Sequence, residues 1–453
     1  MPYFQELHDL LNEVTLWADL RHEQQADIRA VIKRLRRELK SARKALRKAE
    51  PKRKALETEP NGLDEIRALR PEGPRRLWSK LEMAGLSDRL KGAWLGRAAG
   101  CTLGAPVEGW PIDAMENLAL TNRCGMISHQ HAPETRNPKP ETLRMAFPPT
   151  DYWTAHPSPE VVRYGKSAVR DYLRGHISAV PVDDDITYTV LGLLILEEFG
   201  PDFTTEQVGE AWIKYLPVAC TAEEVALRNL KAGVPAAKAG VKNNPFQEWI
   251  GADIRSDPWG YAAPGWPEKA AEFAYRDAYL SHRQNGIYGA MFFAATIAAA
   301  LALDDPLKAI EAGLTEIPNG CRLAADVRWA LDVGPQFADW REARKAVDER
   351  FQGMHPVHTN NNACLTVFGL ILGKRDFTKT IGTTVALGLD NDCTAATAGS
   401  ILGAVIGARG IPERWWKPFR NKTRTYLNDH EWFANTELVA RFMKVAGQVW
   451  EKP

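Results

Sequence analysis

The segment Val385–Arg414, VALGLDNDCTAATAGSILGAVIGARGIPER, limits the fold more than any other. Ala395, Ala396, Ala398, Gly399, Ser400, Gly403, Ala404 and Gly407 are all small. Small residues at roughly helical spacing let a helix backbone come close to its neighbours, which predicts a buried helix. Asp390 and Asp392 stand at its N-terminal end. Acids there complement the helix dipole. Two side by side beside a close-packed core repel unless something positive lies between them. A divalent cation meets that need. An Asp cap with a solvated neighbour is the simpler alternative.

At 453 residues the chain has room for one large domain or two ordinary ones. Its 45% hydrophobic and 25% charged content is that of a soluble globular protein. A net charge of +1 gives no bulk attraction to nucleic acid or membrane. Cys101, Cys124, Cys220, Cys321, Cys364 and Cys393 show no CxxC pair and no zinc spacing, which suggests reduced thiols and a cytoplasmic location. The N-terminus has no apolar signal segment, and the run Ala290–Leu303 suits a core helix better than a membrane span.

Residues 1–50 form a separate segment. Ile28, Ile32, Leu35, Leu39, Ala42, Leu46 and Ala49 recur at heptad steps, with Lys and Arg on the other faces. This predicts a basic amphipathic helix, with self-association, docking on the main domain and an acidic partner as its open roles. Residues 51–76, rich in Pro, Glu and Arg, read as a linker. From Leu77 to the end the pattern is helical. Leu86–Ala99, Val190–Phe199, Thr205–Leu230, Pro267–Leu280, Gly289–Leu303, Pro306–Ile317, Arg322–Val333, Trp340–Phe351, Leu365–Leu372, Phe377–Leu387 and Thr436–Val449 are expected helices. The prediction is an all-α, multi-helix domain over 77–453, with functional loops at 103–165 and 240–266.

Three further stretches carry chemistry. In PVDDDITYT, Asp183, Asp184 and Asp185 precede an apolar helix, and a cap needs one such side chain, not three. A charged loop is the bland reading; a hard-cation site is the functional one. In LGRAAGCTLGAPVEGW, Gly96, Gly100 and Gly104 share a helical face and lead into a loop carrying Glu108, by itself an ordinary surface acid. SHRQNGIYG (Ser281–Gly289) and HPVHTNNN (His355–Asn362) are polar loops at helix starts; His355 and His358 lack the i,i+4 spacing of a zinc motif.

Together these motifs resemble the ADP-ribosylglycohydrolase family over roughly 85–415. DRLKGAWLGRAAGCTLGAPVEGW is similar to the family's opening helix and loop Glu, VDDDITYT to its Thr-Asp-Asp-Thr motif, and GLDNDCTAATAGSILGA to its Gly-Gly-Asp-x-Asp-Thr motif. The resemblance implies an all-α fold with two Mg²⁺ or Mn²⁺ ions in a central cleft. It implies metal ligation by Asp183, Asp184, Asp185, Asp390, Asp392 and Cys393. Asp183 and Cys393 stand where the family has Thr, and Cys101 where many relatives have Asp. A thiol is a poor Mg²⁺ ligand.

The implied reaction is hydrolysis of a ribosyl glycosidic bond, through an oxocarbenium-like transition state. Glu108, Asp184 and Asp185 are the catalytic candidates. Glu108, Ser281, His282, Asn285, Gly286, His355, His358 and Asn361 are the expected substrate contacts. The implied partner is an ADP-ribosylated protein, nucleic acid or small molecule, with no membrane involved. The same resemblance extends to a lens crystallin, so a non-catalytic ADP-ribose binder is the alternative. A helical isoprenoid synthase is disfavoured, because its first Asp motif is spaced i,i+4 and Asp183–Asp185 are consecutive.

Overall fold

The computed structural model describes residues 3–49, 57–122 and 146–451. Parts of the expected linker (50–56) and of the loop over 103–165 (123–145) lie outside them, as does Cys124. The regular secondary structure of the described residues is helical apart from two small antiparallel hairpins, Val162–Arg163 with Ser167–Ala168 and Lys422–Arg424 with Trp432–Ala434. The all-α expectation holds.

The two glycine-rich helices form the spine. Leu86–Gly104 and Asn391–Ile406 lie antiparallel, backbone against backbone. A Cβ at Gly96 would fall 2.7 Å from the carbonyl carbon of Gly399. One at Gly403 would fall 2.7 Å from that of Gly92, and one at Gly104 2.6 Å from the Asp392 nitrogen. Any side chain at these positions forces the helices apart, so the small-residue pattern exists for close approach. Both helices are buried along most of their length.

A second apolar helix, Asn285–Ala300, has every residue buried. It packs on Asp257–Ala262, Pro267–Ala278 and Pro306–Leu314. Thr359–Gly373 and Phe377–Leu387 then connect this layer to the spine.

Several boundaries differ from the sequence reading. The single helix expected over Thr205–Leu230 is two, Thr205–Tyr215 and Thr221–Lys231. Pro217 lies between them and has no N–H to continue the ladder. The 103–165 stretch contains the helix Ile112–Thr121, and the 240–266 stretch contains Asp257–Ala262. Within the expected linker, Leu63–Ala68 is helical with Ile66 buried, and Arg322 donates to the buried Glu59 at 2.8 Å. The N-terminal segment is two helices, Gln5–Glu23 and Arg29–Leu46, neither with a buried residue. Among the described residues no helix is long and apolar enough to cross a membrane.

Candidate active site

The antiparallel spine decides where the acids meet. The C-terminal end of Leu86–Gly104 lies over the N-terminal end of Asn391–Ile406. The chain therefore leaves the first helix directly above Asp390 and Asp392. Its next turn, Ala105–Val107, hands on to Glu108. Two bonds fasten that loop: Asn391 Nδ2 donates to Val107 O at 3.3 Å, and Gly109 N donates to Leu389 O at 3.0 Å. Leu389 has φ +62, a left-handed conformation costly for a branched side chain and typical of a functional turn. Carboxylate oxygens of Glu108, Asp390 and Asp392 thus come within 4.8 Å of one another.

Asp183 caps the helix Asp184–Phe199, its side chain accepting from Asp185 N at 3.3 Å. Asp184 and Asp185 begin that helix and face the same cavity as Glu108, Asp390 and Asp392. The cavity holds about 160 Å³. Its remaining wall includes Tyr164, Tyr188, Cys220, Thr221, Glu223 and Val357. The helix break at Pro217 is what turns Cys220 and Thr221 toward it.

The acids are crowded, and Asp183, Asp185, Asp390 and Asp392 are buried. Burial, with Asp183 beside it, pushes Asp184 up to about 7. Burial, with Glu108 beside it, pushes Asp392 up to about 7 as well. Burial raises Asp185 and Asp390 well above the usual carboxylate range. Such clustering of perturbed carboxylates marks functional sites. Tyr164 donates its hydroxyl to Asp184 Oδ1 at 2.7 Å. The buried hydroxyl of Tyr188 has no hydrogen-bond partner among the described residues, although Tyr188 lines the cavity. A buried polar group without a partner is costly, so it points to a ligand. Oxygen ligands only, three of them carboxylate, suit a hard divalent ion at Glu108, Asp390 and Asp392.

Two arginines reach into this acid cluster. Arg97, fully buried in the first spine helix, donates to Asp185 Oδ1 at 2.9 Å and to Asp257 Oδ2 at 2.7 Å. Arg163 donates to Glu108, Asp183 and Asp392.

The other sequence candidates lie elsewhere. Cys393 is buried; its backbone N–H donates to Asp392 Oδ1 at 3.1 Å, while the thiol that falls beside Asp183 and Asp185 is that of Cys101. Ser281, His282, Asn285 and Gly286 are not on the cavity wall. Ser281 Oγ accepts from Arg255 Nη2 at 2.6 Å, and Arg255 also pairs with the cavity acid Glu223. His282 Nε2 lies 4.0 Å from Glu223. Asn285 Nδ2 donates to Glu248 Oε2 at 2.8 Å. Gly286 packs under Gln247 O. Ser281 and His282 thus back the wall at Glu223 rather than form it, and Asn285 and Gly286 contact residues off the wall. His355 stacks on Trp249 with ring centroids 4.0 Å apart, and Asn361 Nδ2 donates to His355 O at 3.0 Å. His358 caps Thr359–Gly373, and burial holds it down to about 4, so it is neutral at pH 7. The neighbouring Asn362 is the residue that touches the acids: its Oδ1 accepts from Asp390 N at 3.2 Å.

Sequence reasoning missed Arg163, Tyr164, Tyr188, Glu223 and Arg97. Arg97 carried a signal, being the one charged residue in the run from Gly92 to Gly104. Arg163 carried none, since it arrives on a two-residue strand.

A family model described as ADP-ribosylglycohydrolase matches residues 82–449. A solved chain titled "ADP-ribosylglycohydrolase-related protein complex" is 20% identical, with 81% of this chain and 100% of that chain covered and a TM-score of 0.49. No curated protein matches.

Proposed function

This chain belongs to the ADP-ribosylglycohydrolase family, and we propose that it is a metal-dependent hydrolase that cleaves the glycosidic bond between ADP-ribose and a modified acceptor. One observation carries this reading: three carboxylates from two distant segments, Glu108 and Asp390 with Asp392, converge at a small cavity. Those three would hold Mg²⁺ or Mn²⁺. Bound there, the ion supplies positive charge that acidifies a water and orients ribose hydroxyls.

The chain's own groups do the rest. A volume of about 160 Å³ is below the ~300 Å³ at which pockets engulf drug-sized ligands. The cavity therefore takes a single sugar ring, with the rest of the ligand outside. Asp184 lies on the wall, oriented by the Tyr164 hydroxyl, where it takes the proton of an attacking water. Tyr188 offers its free hydroxyl to the ring. Closely packed apolar residues such as Ile250, Ile254 and Val357 exclude bulk water.

The test is release of ADP-ribose by the full chain, with Mn²⁺, from arginine-linked, serine-linked, nucleic-acid-linked and small-molecule conjugates. At least one conjugate is hydrolysed, and Asp392→Asn reduces the rate by roughly 100-fold or more, as loss of a metal ligand does. Equal rates for wild type and variant would place the chemistry elsewhere. The buried thiols Cys101 and Cys393 favour a second reading, a non-catalytic ADP-ribose binder. Calorimetric binding of ADP-ribose without turnover of any conjugate would select it.

A further inference from the structure

We propose that this chain holds one divalent ion rather than two, and that the guanidinium of Arg163 takes the place of the second. The inference rests on the metal-dependent reading above.

Arg163 is delivered by a hairpin whose turn has its own conformational cost. Lys166 N donates to Arg163 O at 3.1 Å, closing a four-residue turn. Its central residues Tyr164 and Gly165 both have positive φ, +50 and +67, as a type I′ turn requires. Glycine takes that conformation freely and tyrosine does not. Tyr164 is held in it by its bond to Asp184 and by stacking on Tyr426, with ring centroids 5.3 Å apart. The strained turn aims the preceding residue, Arg163, into the acids.

There both terminal nitrogens of the guanidinium are used, while its buried Nε has no partner among the described residues. One terminal nitrogen, Nη1, donates to Glu108 Oε2 at 2.8 Å and to Ala105 O at 3.2 Å. The other, Nη2, donates to Asp183 Oδ2 and Asp392 Oδ2, both at 3.0 Å. The side chain is 16% exposed. It bridges carboxylates from three separate segments, as a metal ion would. Like an ion it is always charged, but it is covalently fixed and planar.

The second cluster of possible ligands does not suit a second hard ion. The Cys101, Asp183 and Asp185 group has ligand atoms within 4.8 Å of one another. Yet Asp183 gives Oδ2 to Arg163 and Oδ1 to the Asp185 N–H. Asp185 gives Oδ1 to Arg97. The third member is a buried thiol, a poor match for Mg²⁺ or Mn²⁺. Asp390, by contrast, makes no ion pair among the described residues, and Glu108 keeps Oε1 clear of Arg163, whereas Asp392 is shared, giving Oδ2 to Arg163 and Oδ1 to the Cys393 N–H. Asp183 stands where the resembled motif has Thr, and here that extra acid has its partner in Arg163. Acid and arginine form a matched pair that spends the second position on a fixed charge.

Mn²⁺ stoichiometry and electron paramagnetic resonance of the full chain test this without any substrate. Wild type binds one Mn²⁺ per chain with an isolated six-line signal. Arg163→Ala binds two, with an exchange-coupled signal. Arg163→Gln, which keeps a hydrogen-bond donor without the charge, repeats the measurement if the alanine variant does not fold. Two coupled ions in wild type overturn the inference while leaving the proposed activity intact. One ion in both wild type and variant also overturns it, because the arginine then excludes nothing. No bound ion in wild type overturns it together with the metal-dependent reading.

Discussion

Replacing Gly100 by Ala should damage stability and metal binding together. A Cβ at Gly100 would lie 2.7 Å from the Ala396 nitrogen and closer still to the Ala395 carbonyl. Carbon contacts are comfortable at ~3.5 Å, so the spine helices must part locally by about 1 Å. The obstacle is backbone, which cannot rotate away as a side chain can. Overpacking of this kind costs about 1–3 kcal/mol, and the rigid partner puts Gly100→Ala at the upper end. Gly447 is the control. It lies in the helix Asn435–Glu451 with nothing within 4 Å of its would-be Cβ. Gly447→Ala should stabilise by roughly 0.5–1 kcal/mol through helix propensity and lost unfolded-state entropy. The same chemical change thus has opposite signs at two helical positions. Thermal denaturation reads the first effect, and Mn²⁺ titration reads the second, because separating the helices pulls Glu108 away from Asp392. If Gly100→Ala melts with wild type and binds Mn²⁺ equally well, the backbone-to-backbone packing is misplaced.

Two further outcomes follow from buried charge. Arg97→Met removes the partner of both Asp185 and Asp257 and should cost about 3–5 kcal/mol, as breaking a buried ion pair does; an unchanged denaturant midpoint would contradict those pairings. Asp184 and Asp392 have folded values near 7 against an ordinary value of 3.8, so their stabilising contribution is complete below about 3.8 and lost as pH rises toward 7. Metal-free protein should therefore melt lower at pH 7.5 than at pH 5, and Mn²⁺ should raise the melting temperature more at pH 7.5. A flat or rising profile in EDTA would refute this.

The spine and its acids were legible because each leaves a local mark. Glycines four apart predict close helix contact, and three consecutive Asp exceed what a cap needs. Glu108 was legible only through resemblance, since one acid in a loop has no periodicity. Arg163 and Tyr164 were invisible. Strands of two residues have no alternation to read, and their role depends on a turn whose tip meets segments far away in sequence. The expected helix over Thr205–Leu230 ran through Pro217 because apolar spacing continued on both sides. There the local breaker won over the period. Ser281 and His282 drew notice as polar residues before an apolar helix. Their polarity serves the buried Arg255 and Glu223 network instead.

The antiparallel spine has a consequence for synthesis on the ribosome. Glu108 and the Asp183–Asp185 turn emerge early, but the helix that carries Asp392 emerges only when most of the chain has been made. Until then the glycine face of Leu86–Gly104 has no mate, and the early acids face solvent without the floor that gathers them. Assembly of the acid cluster is therefore a late event in biogenesis. Products truncated before Asn391 are left with half a site.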